Sequence, residues 1–176
     1  RKSFSGMFAY VSNRIPEISD ELYKIDDAMK AGFGWENGPF EIWDAIGVEK
    51  GIELMKAEGY QPASWVTDML ASGNTSFYSI KDGATHFYSI TNKKVEKVPG
   101  QDAFIILNNI RESKKIWNNS DSIITDLGDG IINLEFTSKM NSIGAGVLQG
   151  MNKAIDIAEK DYNGLVIGNQ GANFSV

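Results

Sequence analysis

The segment IDDAMKAGFGWENGPFEIWDAIGVEKG, residues 25–51, decides the fold of the N-terminal part of the chain. Apolar residues at helical spacing are punctuated in it by glycine and proline. Gly32 and Gly34 read as helix stops. Pro39, after Asn37-Gly38, reads as the first residue of the next helix, because its fixed φ suits that position. Working upstream, Ser19 is the expected N-cap of the preceding helix, with acids in its first turn where the helix dipole favours them. Leu22, Ile25 and Met29 form its expected inner stripe. Further upstream, Phe4, Met7, Phe8, Val11 and Ile15 recur at helical spacing until Pro16 ends or kinks the run. Downstream, VEKGIELMKAEG (48–59) and PASWVTDMLASG (62–73) read as two short helices, each closed by glycine. Together these stretches predict a bundle of about five helices.

The period changes after residue 75. SFYSIKDGATHFYSITNKKVEKV (76–98) alternates and is rich in aromatic and β-branched residues. Asp82-Gly83 is a hairpin turn signal, so the two FYSI tetrads, at 77 and 87, are expected to face each other as strands. A third strand is expected after the TNKK turn. Pro99-Gly100 marks a boundary. Residues 103–117 fit either a helix with a basic end or a strand and a helix. From 120 onward the pattern is β-β-α-β. DSIITDLGDGIINLEF (121–136) is a hairpin turning at Gly128-Asp129-Gly130. A helix follows, with Val147, Leu148, Met151, Ile155 and Ala158 on one face. Leu165-Val166-Ile167 reads as a buried strand, reached by a crossover that should be parallel and right-handed. The fold class is therefore α+β, with expected domains at 1–75, 76–119 and 120–176.

Composition excludes several chemistries. The chain has 176 residues, 42% of them hydrophobic and 23% charged, as in ordinary globular domains. A formal net charge of −6 argues against non-specific nucleic-acid binding. No apolar run reaches the ~18 residues of a membrane span, and no signal-peptide pattern is visible, so a cytoplasmic location is expected. The absence of cysteine removes disulfides, zinc thiolates and thiol nucleophiles. With His86 as the single histidine, a multi-histidine metal site is impossible.

Four features carry candidate chemistry. Gly144, Gly146 and Gly150 approach a dinucleotide-binding fingerprint, but TSKMNS separates them from the preceding strand, and Asn169 stands where an acid would hold a ribose. The structural alternative is a closely packed helix start. His86 with Asp82 could serve a serine nucleophile, but no strained nucleophile turn is present, and a cross-strand partner in a hairpin explains it better. Glu17, Asp20, Glu21, Asp26 and Asp27 could be acid–base or metal-binding carboxylates. Helix capping and solvated faces account for them more simply, and DLGDG is a turn that lacks a calcium loop's spaced ligands. Last, the Gly-rich loop after 165–167 could polarise a carbonyl through backbone N–H groups, or it could be an ordinary strand–helix connection.

Two segments resemble known families. In 25–51, Asp27, Ala28-Met29, Gly32, Gly38-Pro39-Phe40-Glu41, Asp44 and Gly47 resemble the C-terminal helical domain of 3-hydroxyacyl-CoA dehydrogenases. In DGIINLEFTSKMNSIGAGVLQGMNKAI and LVIGNQGANFSV, a strand leads to Asn141 at a helix head, and a later strand leads through Gly171 to Phe174-Ser175-Val176. This resembles the start of the enoyl-CoA hydratase (crotonase) family. The matches cover about 1–72 and 120–176, and the middle resembles the connecting region more weakly. The order resembles multifunctional proteins of fatty-acid β-oxidation. The resemblance implies NAD and a coenzyme A thioester in the parent enzyme and an acyl-CoA substrate. It also implies an oxyanion-hole role for the Val176 N–H. Because the nicotinamide domain and the hydratase carboxylates are not in the sequence, the chain is expected to be an interior piece, inactive and without cofactor by itself. It is also expected to associate with itself through 120–176. The competing expectation is a non-catalytic acyl-CoA-binding or assembly module.

Overall fold

The computed structural model describes residues 2–171. It forms two compact units, Arg1–Gln101 and Asp102–Val176. The predicted hairpin at 76–98 belongs to the first unit, and residues 115–118 form a strand of the second.

The first unit contains five helices: α1 (Lys2–Asn13), α2 (Leu22–Phe33), α3 (Pro39–Ile46), α4 (Val48–Ala57) and α5 (Ser64–Ala71). A three-stranded antiparallel sheet follows, β1 (Tyr78–Lys81), β2 (Ala84–Ser89) and β3 (Lys94–Lys97), in that order. The punctuation acts as read except at Gly32, which lies inside α2. Gly34 caps α2 in the left-handed region at φ 67°, and Gly38 precedes Pro39 at the start of α3. The FYSI tetrads face each other, with Tyr78 opposite Phe87. Asp82 (φ 52°) and Gly83 (φ 75°) both take the left-handed conformation that a two-residue hairpin turn requires. The core is aromatic. Phe8 stacks on Trp43 at 4.8 Å, and Phe77 meets both Phe40 and Trp43 edge-on.

One boundary differs from expectation. Helix α2 starts at Leu22 with Glu21 as its extended N-cap, not Ser19, and its first turn holds no acid. The reason is tertiary. The Glu21 carboxylate accepts from the Ser89 hydroxyl (2.8 Å) and the Ile90 N–H (3.3 Å), so the sheet fixes where the helix may begin.

The second unit opens with a short helix α6 (Leu107–Ile110), which answers the ambiguity at 103–117 with helix first and strand second. Strands β4 (Lys115–Asn118), β5 (Ser122–Gly128) and β6 (Ile131–Phe136) are antiparallel, helix α7 (Ala145–Asp161) crosses over, and β7 (Gly164–Ile167) pairs parallel to β6. The sheet order is β4-β5-β6-β7. Ile124, Ile132, Leu134 and Phe136 pack with Val147 and Ala154 to form its core.

Two expectations fail here. Leu148 and Ile155 are 52% and 46% exposed, so they do not share the inner face of α7. The contact stripe is Val147, Gly150, Met151, Ala154, Ile157 and Ala158, and its small residues bring the helix close to the sheet. Strand β7 is not buried either. Val166 and Ile167 are 45% and 53% exposed, because β7 is the edge of the sheet among the described residues and, of its apolar side chains, only Leu165 packs on the core.

Candidate functional site

The first unit is organised around two buried carboxylates. Asp26 sits on the inner side of α2 and is fully buried, whereas the neighbouring Asp27 points outward, 62% exposed, toward Lys30 at 3.3 Å. Asp26 Oδ1 accepts the Phe40 N–H (2.9 Å), and Oδ2 accepts the Glu41 N–H (3.1 Å) and the Tyr78 hydroxyl (2.8 Å). Phe40 and Glu41 are the second and third residues of α3, whose N–H groups have no partner within that helix. Asp26 therefore caps α3 from another helix. Gly38 makes this possible, since a β-carbon there would overlap the Asp26 side chain. The glycine has no side chain with which to cap, and the incoming carboxylate takes that place.

The rest of the motif follows the same logic. Glu41 reaches back with Oε2 to the Gly38 N–H and with Oε1 to the Lys30 ammonium, both at 2.7 Å. Burial works against the Lys30 charge, but Glu41 and Asp27 hold its pKa above the ordinary value. Asp44 accepts the N–H groups of Phe77 and Tyr78, each at 2.8 Å, and so fixes the start of β1. Trp43 donates its indole N–H to the Val48 carbonyl (3.0 Å), and Gly51 leaves room for that ring.

Burial pushes Asp26 up to about 7, against the pull of the Phe40, Tyr78 and Glu41 donors, with the Glu41 charge adding to the rise. Burial likewise pushes Asp44 up to about 6 against its two backbone donors. Burial and the Asp26 charge raise the Tyr78 hydroxyl, which remains a donor. Both carboxylates are committed to internal donors. The arrangement locks helix to helix and helix to sheet.

In the second unit the loop after β7 is held from three sides. Gly168 donates its N–H to the Leu134 carbonyl (3.2 Å) and accepts the Asn133 side-chain amide (3.2 Å). Asn169 Oδ1 accepts the N–H of Phe136, the last residue of β6, at 2.7 Å. Gln170 Oε1 accepts the Asn108 N–H at 3.1 Å. Helix α6, which carries Asn108, is itself clamped. Arg111 binds Glu135 through two N–H donors, at 2.7 and 3.1 Å, and that Glu135 side chain is 4% exposed. Gly171 lies against the Asn141 amide with no room for a β-carbon. Asn141 and Met140 both have φ above 50°.

Of the residues singled out in the sequence, Val176 lies outside the described residues. Gly144 is the N-cap of α7, while Gly146 and Gly150 allow the helix to approach Asp121 and Ser122. A β-carbon at Gly146 would meet the Asp121 carboxylate, which would also repel a pyrophosphate, so these glycines do not fit a dinucleotide. His86 lies opposite Ser79 and Lys97 in the sheet, and its Nδ1 is 3.2 Å from the Ala84 carbonyl. No hydrogen bond joins it to Asp82 among the described residues. Glu17 pairs with Arg14 on the surface (2.7 Å), and Asp20 is exposed. Glu21 and Asp26 are capping groups, as read, but not on solvated faces: Asp26 caps a different helix, and both accept hydrogen bonds from distant parts of the unit. Their signal in the sequence was only proximity to the motif. Among the described residues no group of acids and histidines is placed to hold a metal ion, and no helix is long and apolar enough to cross a membrane.

Residues 10–82 match the family model of the 3-hydroxyacyl-CoA dehydrogenase C-terminal domain, which takes in the Asp26–Asp44 lock and β1. The similarity extends beyond those residues. A "Probable 3-hydroxyacyl-CoA dehydrogenase" of Bacillus subtilis is 43% identical over 168 residues, covering 95% of this chain and 21% of the relative. A "Putative fatty acid oxidation complex trifunctional enzyme" of Rickettsia felis is 25% identical over 168 residues, 96% of this chain and 20% of the relative. Its counterpart from Rickettsia prowazekii is 26% identical over the same span. The chain is thus similar, over nearly its whole length, to one segment of each of these relatives. It spans about a fifth of the length of the curated relatives it matches.

Proposed function

We propose that this chain is an interior segment of a bifunctional 3-hydroxyacyl-CoA dehydrogenase/enoyl-CoA hydratase of fatty-acid β-oxidation, working in the cytoplasm. In this reading residues 1–75 are the dehydrogenase's C-terminal helical domain, 76–119 connect, and 120–176 open a crotonase-like domain. The observation that carries the reading is the alignment over 168 residues, which runs past the matched dehydrogenase domain into the second unit. The β-β-α-β order of β5, β6, α7 and β7 supports the hydratase half. The whole protein would use NAD, held by another segment, to oxidise the 3-hydroxyl group of an acyl-CoA. The part of the present residues in that reaction is to build a rigid helical body. In the hydratase half the Val176 N–H would polarise the thioester carbonyl. The exposed edge at β7 would take further strands of the longer protein, or a second copy of the chain when the segment is alone.

The test compares the full-length protein with the 176-residue segment. The full-length protein is expected to form NADH from 3-hydroxyacyl-CoA and to hydrate enoyl-CoA, and the segment to do neither. A full-length protein with neither activity, or a segment that turns over crotonyl-CoA well above background, would overturn the reading.

A further inference from the structure

We propose that Asn37 is a deamidation site held latent by Glu41, so that modification at Asn37-Gly38 records each opening of the lock between α2 and α3. Asparagine is a thermolabile residue. It is weakest before glycine, which lacks the side chain that would keep its nitrogen away from the preceding amide. The described residues contain two such pairs, Asn37-Gly38 and Asn163-Gly164. Asn37 is exposed in the bend between α2 and α3, and among the described residues no hydrogen bond holds its side-chain amide. The reaction needs only water. The Gly38 nitrogen attacks Asn37 Cγ, the N–Cγ bond forms as the Cγ–Nδ2 bond breaks, and the proton of that nitrogen leaves with the ammonia. Water then opens the cyclic imide. Addition at Cγ gives aspartate, and addition at the main-chain carbonyl gives isoaspartate.

The lock opposes the first step in two ways. The Gly38 N–H donates to Glu41 Oε2 at 2.7 Å, while Glu41 Oε1 is held by Lys30. A carboxylate on that N–H makes its proton harder to lose, because the nitrogen anion would face a second negative charge. Gly38 is also fixed in place. It is buried, it has no free space on the side of Asp26, and Pro39 after it favours the extended backbone seen at ψ 171°. A nucleophile that is near its target but wrongly oriented reacts slowly. Once formed, isoaspartate at 37 adds a main-chain methylene and a charge where Gly38 fits closely against Asp26. The modified chain is therefore expected to lose the cap on α3.

The experiment incubates the full-length protein at neutral pH and follows Asn37 and Asn163 by peptide mass mapping, with hydrogen exchange along α5 as the readout of general loosening. Wild-type Asn37 is expected to deamidate at least about tenfold more slowly than in the urea-unfolded protein. Glu41→Ala is expected to speed loss at Asn37 about 10–100-fold, the factor that one charge-assisted hydrogen bond represents, with Asn163 and α5 exchange unchanged. Glu41→Gln keeps an acceptor without the charge and is expected to fall between them. If Glu41→Ala does not fold, Glu41→Gln decides by the same criteria. Wild-type Asn37 reacting as fast as in the unfolded chain overturns the proposal, as does a Glu41 variant with the wild-type rate. Faster loss accompanied by an equal rise in α5 exchange overturns it too, because general unfolding and not the Glu41 contact would then control Asn37. The result is independent of either enzymatic activity.

Discussion

Asp26 and Asp27 are adjacent acids in one helix, and substituting each by alanine should have very different consequences. Asp26→Ala strands three donors at once, the N–H groups of Phe40 and Glu41 and the Tyr78 hydroxyl. A buried donor left without an acceptor costs about 1–3 kcal/mol, and losing an N-cap acceptor costs about 0.5–2 kcal/mol. Rotation of the Tyr78 hydroxyl recovers part of this, and removing a carboxylate that is costly to bury offsets more. The net expectation is a loss of about 2–4 kcal/mol. Asp26→Asn can turn its carbonyl toward Glu41 and Tyr78, leaving its amide to oppose the Phe40 N–H alone. Its expected cost is about 1–3 kcal/mol. Asp27→Ala removes only a solvated contact to Lys30 and should stay within about 0.5 kcal/mol of wild type. Urea unfolding followed by tryptophan fluorescence reads the series, because Trp43 and Trp65 report on the same core. A matching thermal scan should show Asp26→Ala about 8 °C or more below wild type. If Asp26→Ala unfolds with wild-type stability, or Asp27→Ala proves the more damaging, the account of α3 capped from α2 is wrong.

Three further outcomes are expected. Asp26 and Asp44 have pKa values raised to about 7 and about 6 from 3.8. The folded state therefore binds more protons than the unfolded chain between those values, and stability relative to Asp26→Asn should fall as pH rises from 4 to 7; urea midpoints measured across that range that rise instead would contradict it. Phe40→Ala should cost about 3–5 kcal/mol, because its ring is fully buried against Trp43, Trp65 and Phe77, and an unchanged melting temperature would show that α3 does not pack through this face. The isolated segment should sediment as a dimer or larger at micromolar concentration, through the edge of β7 and the exposed Val166 and Ile167. A clean monomer with slow amide exchange along 164–167 would remove that expectation.

What could be read from the sequence was whatever is decided within a few residues. Gly34, Pro39 and the Asp82-Gly83 turn act through their own backbone preferences, so α2, α3 and the first hairpin end or turn where those residues stand. The parallel pairing of β6 with β7 followed from the intervening helix. The features that failed all depend on partners far along the chain. Asp26 is indistinguishable from Asp27 by type and neighbourhood, and only donors 14, 15 and 52 residues away make it a buried cap. Glu21 is set by residues 68 and 69 positions on, and Glu135 by an arginine 24 positions back. Leu148 and Ile155 fit an apolar face on a helical wheel. The sheet beneath, however, is met by the side that carries Gly150 and Ala154, so hydrophobicity alone could not say which side faces inward. The same limit hid the loop after β7. Asn169 and Gln170 read as generic loop residues because their role lies in the Phe136 and Asn108 N–H groups, 33 and 62 residues away. In both units a polar side chain from one element therefore completes the hydrogen bonding of another element's end. Such residues carry no periodicity, so pattern reading passes over them, yet they fix how the elements meet.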